Sequence, residues 1–227
     1  MWLNDELVTD IKLDQYRQAL VSACPNYIVI DGLFNESKLD ELMHILQQPG
    51  DWQTQQHTYS ALYADHTQWQ RASQAQRFVQ RDVWNNDTDS PNLAQEFLCF
   101  LRSDAFMSLL SSLFQVQLTD MNVAEPEINT NYFRLANTDF IGQHADDSPG
   151  REVCMLLYLN KDWSHKAGGE LSFIGQQECQ PISITPTYNR CVLFNPSSPG
   201  SEHWVEKLHI DHAHHYRYNV TSWYWRE

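Results

Sequence analysis

The strongest constraint on the fold is the run of short β-rich pieces in the second half of the chain. From about residue 118, "EINTNYFRL", "EVCMLLYLN", "GELSFIG", "QPISITP", "RCVLFNP", "HWVEKLHI" and "YNVTSWYW" follow one another with turn residues between them. Several short strands at this spacing predict a sandwich or a barrel. The first half reads differently. "NYIVIDGLF" (26–34) is β-rich, and "NESKLDELMHILQQ" places Leu39, Leu42, Met43 and Leu46 at helical spacing, with Asn35 as N-cap and Gly50 as stop. Residues 51–90 are Gln-rich and without one period; strands and a long polar loop both fit them. "SPNLAQEFLCFL" predicts a helix with Ser90 as N-cap and Pro91 at the first helical position, and "SDAFMSLLSSLF" a second one capped by Ser103. The expectation is an α+β fold in one domain, 1–227. Residues 1–118 would be mainly helical support and polar loop, and 119–227 the β core.

Composition bounds what such a chain does. At 227 residues there is room for one sizeable core, and 42% hydrophobic content excludes a disordered chain. Apolar runs such as "CMLLYL" are too short to span a bilayer, and "MWLNDELVTD" is no secretory signal, so no membrane partner and a cytoplasmic location are expected. The five cysteines are scattered, with no CxxC, and read as reduced structural thiols. A net charge of −14 repels a phosphate backbone and argues against nucleic acid. Oligomeric state is not legible.

Two His-x-Asp pairs stand out, His144–Asp146 and His209–Asp211. Such a pair is a weak signal, but on extended backbone residues i and i+2 share a face, so an imidazole nitrogen and a carboxylate oxygen can take adjacent positions around one ion. A third ligand from another strand completes a 2-His-1-carboxylate face, whose open positions suit iron(II). The first pair has fitting surroundings. "NYFRL" precedes it and the buried-looking "REVCMLLYL" follows. Further on, "LFNPSSPGSEHWV" brings His203 to the start of a strand, and Arg217 opens the last strand, where a buried guanidinium would fork a dicarboxylate. The second pair lies in "HIDHAHHYR", either a solvated loop or a His-rich zinc or nickel patch. Ordinary polar residues at strand ends remain the bland reading of His144 and His203.

Taken together, "HADDSPGREVCMLLYLNKDW", "GGELSFIG", "RCVLFNPSSPGSEHWVEK" and "RYNVTSWYW" resemble the iron(II)/2-oxoglutarate-dependent dioxygenases, in the prolyl-hydroxylase branch. The flanking "LRSDAFMSLLSSLF" resembles the ribosomal-protein prolyl hydroxylases. The resemblance covers about residues 120–225 and implies a double-stranded β-helix (jelly roll) with N-terminal supporting helices. It implies that His144, Asp146 and His203 hold iron, that Arg217 pairs with the distal carboxylate of 2-oxoglutarate, and that Tyr158, or more loosely Tyr132, bonds the same carboxylate. Fe(II), 2-oxoglutarate and O2, with ascorbate (vitamin C), would be the cofactors of an oxidoreductase acting on a prolyl residue. The second domain of the ribosomal-protein enzymes is expected to be absent, since the sequence closes two residues after "WYW".

Other roles stay open at this stage. The substrate is a protein or peptide, or else a free amino acid or small metabolite, with residues 50–90 as the source of selectivity. A non-catalytic metal-binding β-barrel module and a cupin-type site are alternatives from other classes. Asp147 reads as a turn residue or a supporting acceptor. Arg151 reads as a surface or substrate-edge residue, Gly168–Gly169 as a tight turn, and Trp163, Trp223 and Trp225 as packing.

Overall fold

A computed structural model describes residues 1–50, 52–85, 92–121, 129–175, 181–210 and 215–226. Among these residues, five α-helices are formed by Asp10–Ser22 (α1), Glu36–Leu46 (α2), His66–Arg71 (α3), Leu93–Leu101 (α4) and Asp104–Phe114 (α5). The strands of the first half are Tyr27–Asp31 (β1), Trp52–Thr58 (β2), Arg77–Trp84 (β3) and Leu118–Thr119 (β4). Those of the second half are Thr130–Leu135 (β5), Phe140–Ile141 (β6), Arg151–Tyr158 (β7), Leu171–Phe173 (β8), Ile182–Ile184 (β9), Arg190–Phe194 (β10), His203–Val205 (β11) and Arg217–Arg226 (β12). They build two antiparallel sheets. The larger runs β1-β10-β7-β12-β5-β3-β2, with β4 on β12 and β6 on β3; the smaller runs β11-β8-β9.

Side-chain alternation along the central strands explains this arrangement. In β7, Val153, Met155 and Leu157 join the core under the helices, while Cys154, Leu156 and Tyr158 face the smaller sheet. β10 repeats the pattern, with Cys191 and Leu193 on one side and Val192 and Phe194 on the other. A strand covered on both faces reads as a continuous apolar run, as "VCMLLY" does. α2 buries Leu39, Leu42, Met43 and Leu46 in the core beside α4, and α5 buries Phe106, Met107, Leu110 and Leu113 there beside α1. Each such side chain contributes about 2 kcal/mol of transfer free energy.

The helix signals hold at several ends and fail at others. Asn35 accepts from the Lys38 amide, and Ser103 from the Phe106 amide. Gly50 does not stop α2, which closes at Leu46 with Gln47 as its C-cap. α4 is capped by Asn92, whose Oδ1 accepts from Ala94 and Gln95 while the Gln95 side chain accepts from the Asn92 amide. Those bonds satisfy three backbone N–H groups that the start of a helix leaves without intrahelical partners. Ser90 and Pro91, expected to start this helix, lie outside the described residues. α1 and α3 carried no signal that the sequence reading caught.

A division at residue 118 does not separate support from core. β1, β2 and β3, all from the first half, extend the larger sheet at both ends. Among the described residues no single helix is long and apolar enough to cross a membrane. α4 and α5, which together have the length and composition, are bent by 43° and bury their apolar faces in the core.

Candidate metal centre

The strand that carries His203 pairs with the loop that carries His144. The two residues form an antiparallel bridge, each amide donating to the other's carbonyl at 3.0 Å. The bridge sets the imidazoles side by side, with ring centroids 4.4 Å apart. Each ring is oriented through its second nitrogen. His144 Nδ1 lies 2.8 Å from the Gly142 carbonyl and His203 Nδ1 lies 3.0 Å from the Ser201 carbonyl. A carbonyl only accepts, so both rings carry the proton on Nδ1 and present Nε2 to the pocket. His203 is also wedged between Phe173 and Phe194, at centroid distances of 5.8 and 5.2 Å. Burial, reinforced by His144, pulls its pKa down to about 4, so it is neutral and a competent ligand at pH 7.

Asp146 follows His144 on extended backbone, and the chain there alternates between half-buried His144 and Asp146 and exposed Ala145 and Asp147. His144 Nε2 lies 3.9 Å from Asp146 Oδ1, and His203 Nε2 lies 3.8 Å from Oδ2. One donor atom from each of the three fits within 4.8 Å, the spacing of ligands around a single cation. Burial alone would raise the Asp146 pKa. The His203 and His144 imidazoles, the Trp223 indole and Arg151 outweigh it and hold the carboxyl below its ordinary value. The donor set therefore fits a divalent ion: two imidazole Nε2 atoms, one anionic carboxylate, and room left over.

Sequence reasoning missed the groups that hold Asp146. Trp223 donates its Nε1–H to Oδ2 at 2.8 Å, and Arg151 donates to the Asp146 backbone carbonyl at 2.7 Å while stacking over Trp223 and Trp225. Trp223 is thus more than packing, and Arg151 more than a surface residue. The signal was present in β12, where Arg217, Asn219, Thr221 and Trp223 alternate onto the face that lines the pocket.

The pocket encloses about 520 Å³ between the two sheets, with His144, Asp146, His203, Arg217, Asn219, Thr221 and Trp223 in its wall. Arg217 is 1% exposed. Its Nε donates to the Gly169 carbonyl at 2.7 Å and its Nη1 to Asn219 Oδ1 at 3.0 Å, but Nη2 has no partner. The guanidinium sits 4.9 Å from the centroid of the Tyr158 ring, and the Tyr158 hydroxyl, also buried, lacks a partner. Burial pushes that phenol up to about 12 against the opposing pull of Arg217, so it stays protonated. Two buried donors without acceptors at one place call for an anion, and the distal carboxylate of a dicarboxylate supplies one. The Gly168–Gly169 turn has φ of +69° and +74°, and Gly169 does more than turn. A Cβ there would sit 2.7 Å from Leu208 Cδ2 and 3.0 Å from Arg217 Cδ.

Tyr132 is not brought to this site. The alternation of β5 turns it to the helix side, where it is fully buried, donates to the Ala94 carbonyl at 2.7 Å and meets Trp84 edge-on. Its neighbour Phe133 takes the pocket-side position beneath Arg81. Of the second His-x-Asp pair, His209 is described and its amide donates to the Ala167 carbonyl at 2.8 Å, whereas Asp211 lies outside the described residues.

Fold and site together define a class: a double-stranded β-helix with a two-histidine, one-carboxylate face and a buried arginine in the same pocket. Residues 130–225, a little under half of the chain, match the model of the 2OG-Fe(II) oxygenase superfamily. It is 28% identical over 142 residues to Prolyl 3-hydroxylase OGFOD1 of Mus musculus, covering 60% of this chain and 25% of that one. It is 34% identical over 85 residues to Egl nine homolog 1 of Homo sapiens, covering 36% and 18%. The chain thus spans a quarter or less of the length of these relatives. A Pseudomonas putida prolyl-4-hydroxylase superposes with a TM-score of 0.64 at 15% identity, covering 95% of this chain and 99% of that one. A Trichoplax adhaerens prolyl hydroxylase, solved with a hypoxia inducible factor oxygen degradation domain peptide fragment, gives 0.64 at 18%, covering 98% and 96%. At these identities the two structures speak for the fold.

Proposed function

We propose that this chain is a 2-oxoglutarate-dependent oxygenase that hydroxylates a prolyl residue of a protein or peptide, releasing succinate and carbon dioxide. One observation carries the reading: a single pocket holds both a cation-binding face and a pair of buried donors that lack an acceptor. His144 and His203 would hold iron(II) through Nε2, with the Asp146 carboxylate as the third ligand. The bound iron supplies oxygen activation coupled to decarboxylation of 2-oxoglutarate.

The chain's own residues do the positioning. Arg217 Nη2 and the Tyr158 hydroxyl receive the distal carboxylate of 2-oxoglutarate, a charge-assisted arrangement that fixes its orientation. Asn219 holds the guanidinium through Nη1, and Gly169 holds it through Nε. Trp223 and Arg151 hold Asp146 in place. Leu156, Leu171 and Val205 line the pocket with apolar surface, which limits water around the reacting atoms. The prolyl substrate is inferred from the similar proteins, three of which are named or described as prolyl hydroxylases. Residues 1–227 would act as one catalytic unit, with ascorbate keeping the iron ferrous. The buried, unpaired thiols of Cys154 and Cys191 suit a reducing compartment such as the cytoplasm.

The test is succinate release from 2-oxoglutarate by purified protein with iron(II) and ascorbate, beside an Asp146→Ala control. Iron-dependent succinate that vanishes in the variant is expected. Succinate formation that persists in Asp146→Ala overturns the assignment.

A further inference from the structure

The pocket contains a third cation, besides Arg217 and Arg151, that the reaction above leaves without a role. Arg81 lies on the pocket side of β3, one register step beyond the Asp82–Arg134 pair. That step brings it level with Leu135 of β5, which itself pairs with Arg217 of β12. Two strand spacings, about 10 Å, therefore separate the backbones of the two arginines. The Arg81 guanidinium lies 3.6 Å from the centroid of the Phe133 ring, and its Nε donates to Gln55 Oε1 at 3.0 Å. No ion pair among the described residues includes it. Burial pulls its pKa down to about 10, which still leaves it cationic at pH 7.

His57 stands beside it. The β2–β3 register pairs Gln55 with Arg81 and His57 with Val79, so His57 and Arg81 are diagonal neighbours on one face. His57 is only 7% exposed, lines the same pocket, and its Nε2 has no hydrogen-bond partner. Burial, with help from Arg81 and His144, pulls its pKa down to about 4, so the ring is neutral. Above the pair, exposed Tyr59, Leu62 and Tyr63 form a rim. Tyr63 lies 4.9 Å from His57 between ring centroids, and Tyr59 stacks on Phe78 at 4.8 Å while its hydroxyl donates to the Gln143 carbonyl at 3.0 Å. The rim is thereby tied to the loop that carries His144.

A half-buried guanidinium outside any ion pair, beside a buried imidazole whose Nε2 lacks a partner, is a place that an anion would complete. We propose that Arg81 and His57 form a carboxylate subsite for the substrate, so that the residue to be hydroxylated carries or directly adjoins a carboxylate. Two sources share this chemistry: an acidic side chain next to the proline, and the free carboxylate of a terminal proline. The near carboxylate of 2-oxoglutarate is the competing occupant. The proposal rests on the oxygenase reading above.

The test uses the full chain loaded with Mn(II) in place of iron and saturated with 2-oxoglutarate. Three probes are titrated by calorimetry: acetyl-Ala-Pro-Ala-amide, acetyl-Asp-Pro-Ala-amide and acetyl-proline. At least one acidic probe is expected to bind tenfold or more tighter than the neutral one, and which of the two does so identifies the source. Arg81→Gln should abolish that preference without changing 2-oxoglutarate affinity, whereas Arg217→Gln should weaken 2-oxoglutarate. His57→Phe keeps the ring volume and removes the donor. It should cost the acidic probes three- to tenfold, and this reads the subsite even if Arg81→Gln fails to fold. Equal binding of all probes by the wild type, or an acid preference that survives both variants, overturns the proposal. A tenfold loss of 2-oxoglutarate affinity in Arg81→Gln overturns it too, by giving Arg81 to the cosubstrate. Failure of the wild type to bind 2-oxoglutarate at all is a separate result, and it sinks the oxygenase reading along with the subsite.

Discussion

Trp223→Phe is the most informative single change at the metal centre. The indole Nε1–H donates at 2.8 Å to the carboxylate oxygen of Asp146 that also faces His203. Phe keeps most of the ring that Arg151 covers and removes only the donor. A hydrogen bond to a charged acceptor contributes about 1.5–3 kcal/mol. Losing a partner that orients a metal ligand costs roughly ten- to a hundredfold in metal affinity, in line with that energy. The expected outcome is therefore a Co(II) dissociation constant raised ten- to a hundredfold, read from the visible absorption of the bound ion. Trp225→Phe is the control. Trp225 also lies beneath Arg151 but makes no hydrogen bond to Asp146. Unchanged affinity in Trp223→Phe would refute the claim that the indole orients a ligand. An equal loss in Trp225→Phe would assign the effect to Arg151 packing instead.

Three further perturbations probe other parts of the argument. Gly169→Ala introduces a Cβ 3.0 Å from Arg217 Cδ at a φ of +74°, so it should displace the guanidinium. We expect 2-oxoglutarate affinity to fall about tenfold or more with Co(II) affinity unchanged, both by titration. Asn160 donates to the Pro186 and Tyr218 carbonyls and accepts from the Tyr218 amide, all buried. Asn160→Ala leaves those backbone groups unsatisfied and should cost about 2–4 kcal/mol in urea unfolding, without altering turnover of the folded fraction. His57, held near a pKa of about 4 against an ordinary 6.5, binds its proton more readily in the unfolded chain. Its contribution is complete above about pH 6.5 and is lost as pH falls from there towards 4, roughly 2 kcal/mol between pH 7 and pH 5. His57→Gln should remove that part of the slope in metal-free protein, and an unchanged slope would show that His57 is not buried as a neutral ring.

How much of this was legible beforehand follows from the periodicities involved. Strand runs after residue 118 could be read because each is short, apolar and bounded by turns, and every one of them contains a strand in the structure. Asn35 and Ser103 could be read because an N-cap is a local arrangement of side chain and backbone. Gly50 misled because a glycine signals a turn without saying where the preceding helix has already closed. α1 escaped because only Leu20 of its residues is fully buried, so its apolar stripe is faint. Residues 51–90 were opaque because β2 and β3 are rich in polar residues. Three of those, Gln55, His57 and Arg81, meet in or beside the pocket, where a polar side chain has a chemical use.

The site shows the same logic at the level of single residues. The residue types and order of the proposed ligand set were visible in the sequence, since a His-x-Asp pair and a distant His are recognisable by chemistry alone. Which face a side chain takes is a question of strand parity, and parity was usable once a single position was anchored. Arg217 on the pocket side carries Asn219, Thr221 and Trp223 with it, which would have moved Trp223 from packing to the carboxylate. The register from Arg217 to Leu135 turns Leu135 inward as well, and Phe133 with it. Tyr132, between them in parity, must then face the helices, as it does. One anchored residue thus settles both errors, because in an antiparallel sheet side-chain direction passes along each strand with period two and across strands by pairing. Residues assigned to this pocket from a resemblance should meet that parity condition before any role is given to them, and Tyr158 meets it where Tyr132 does not.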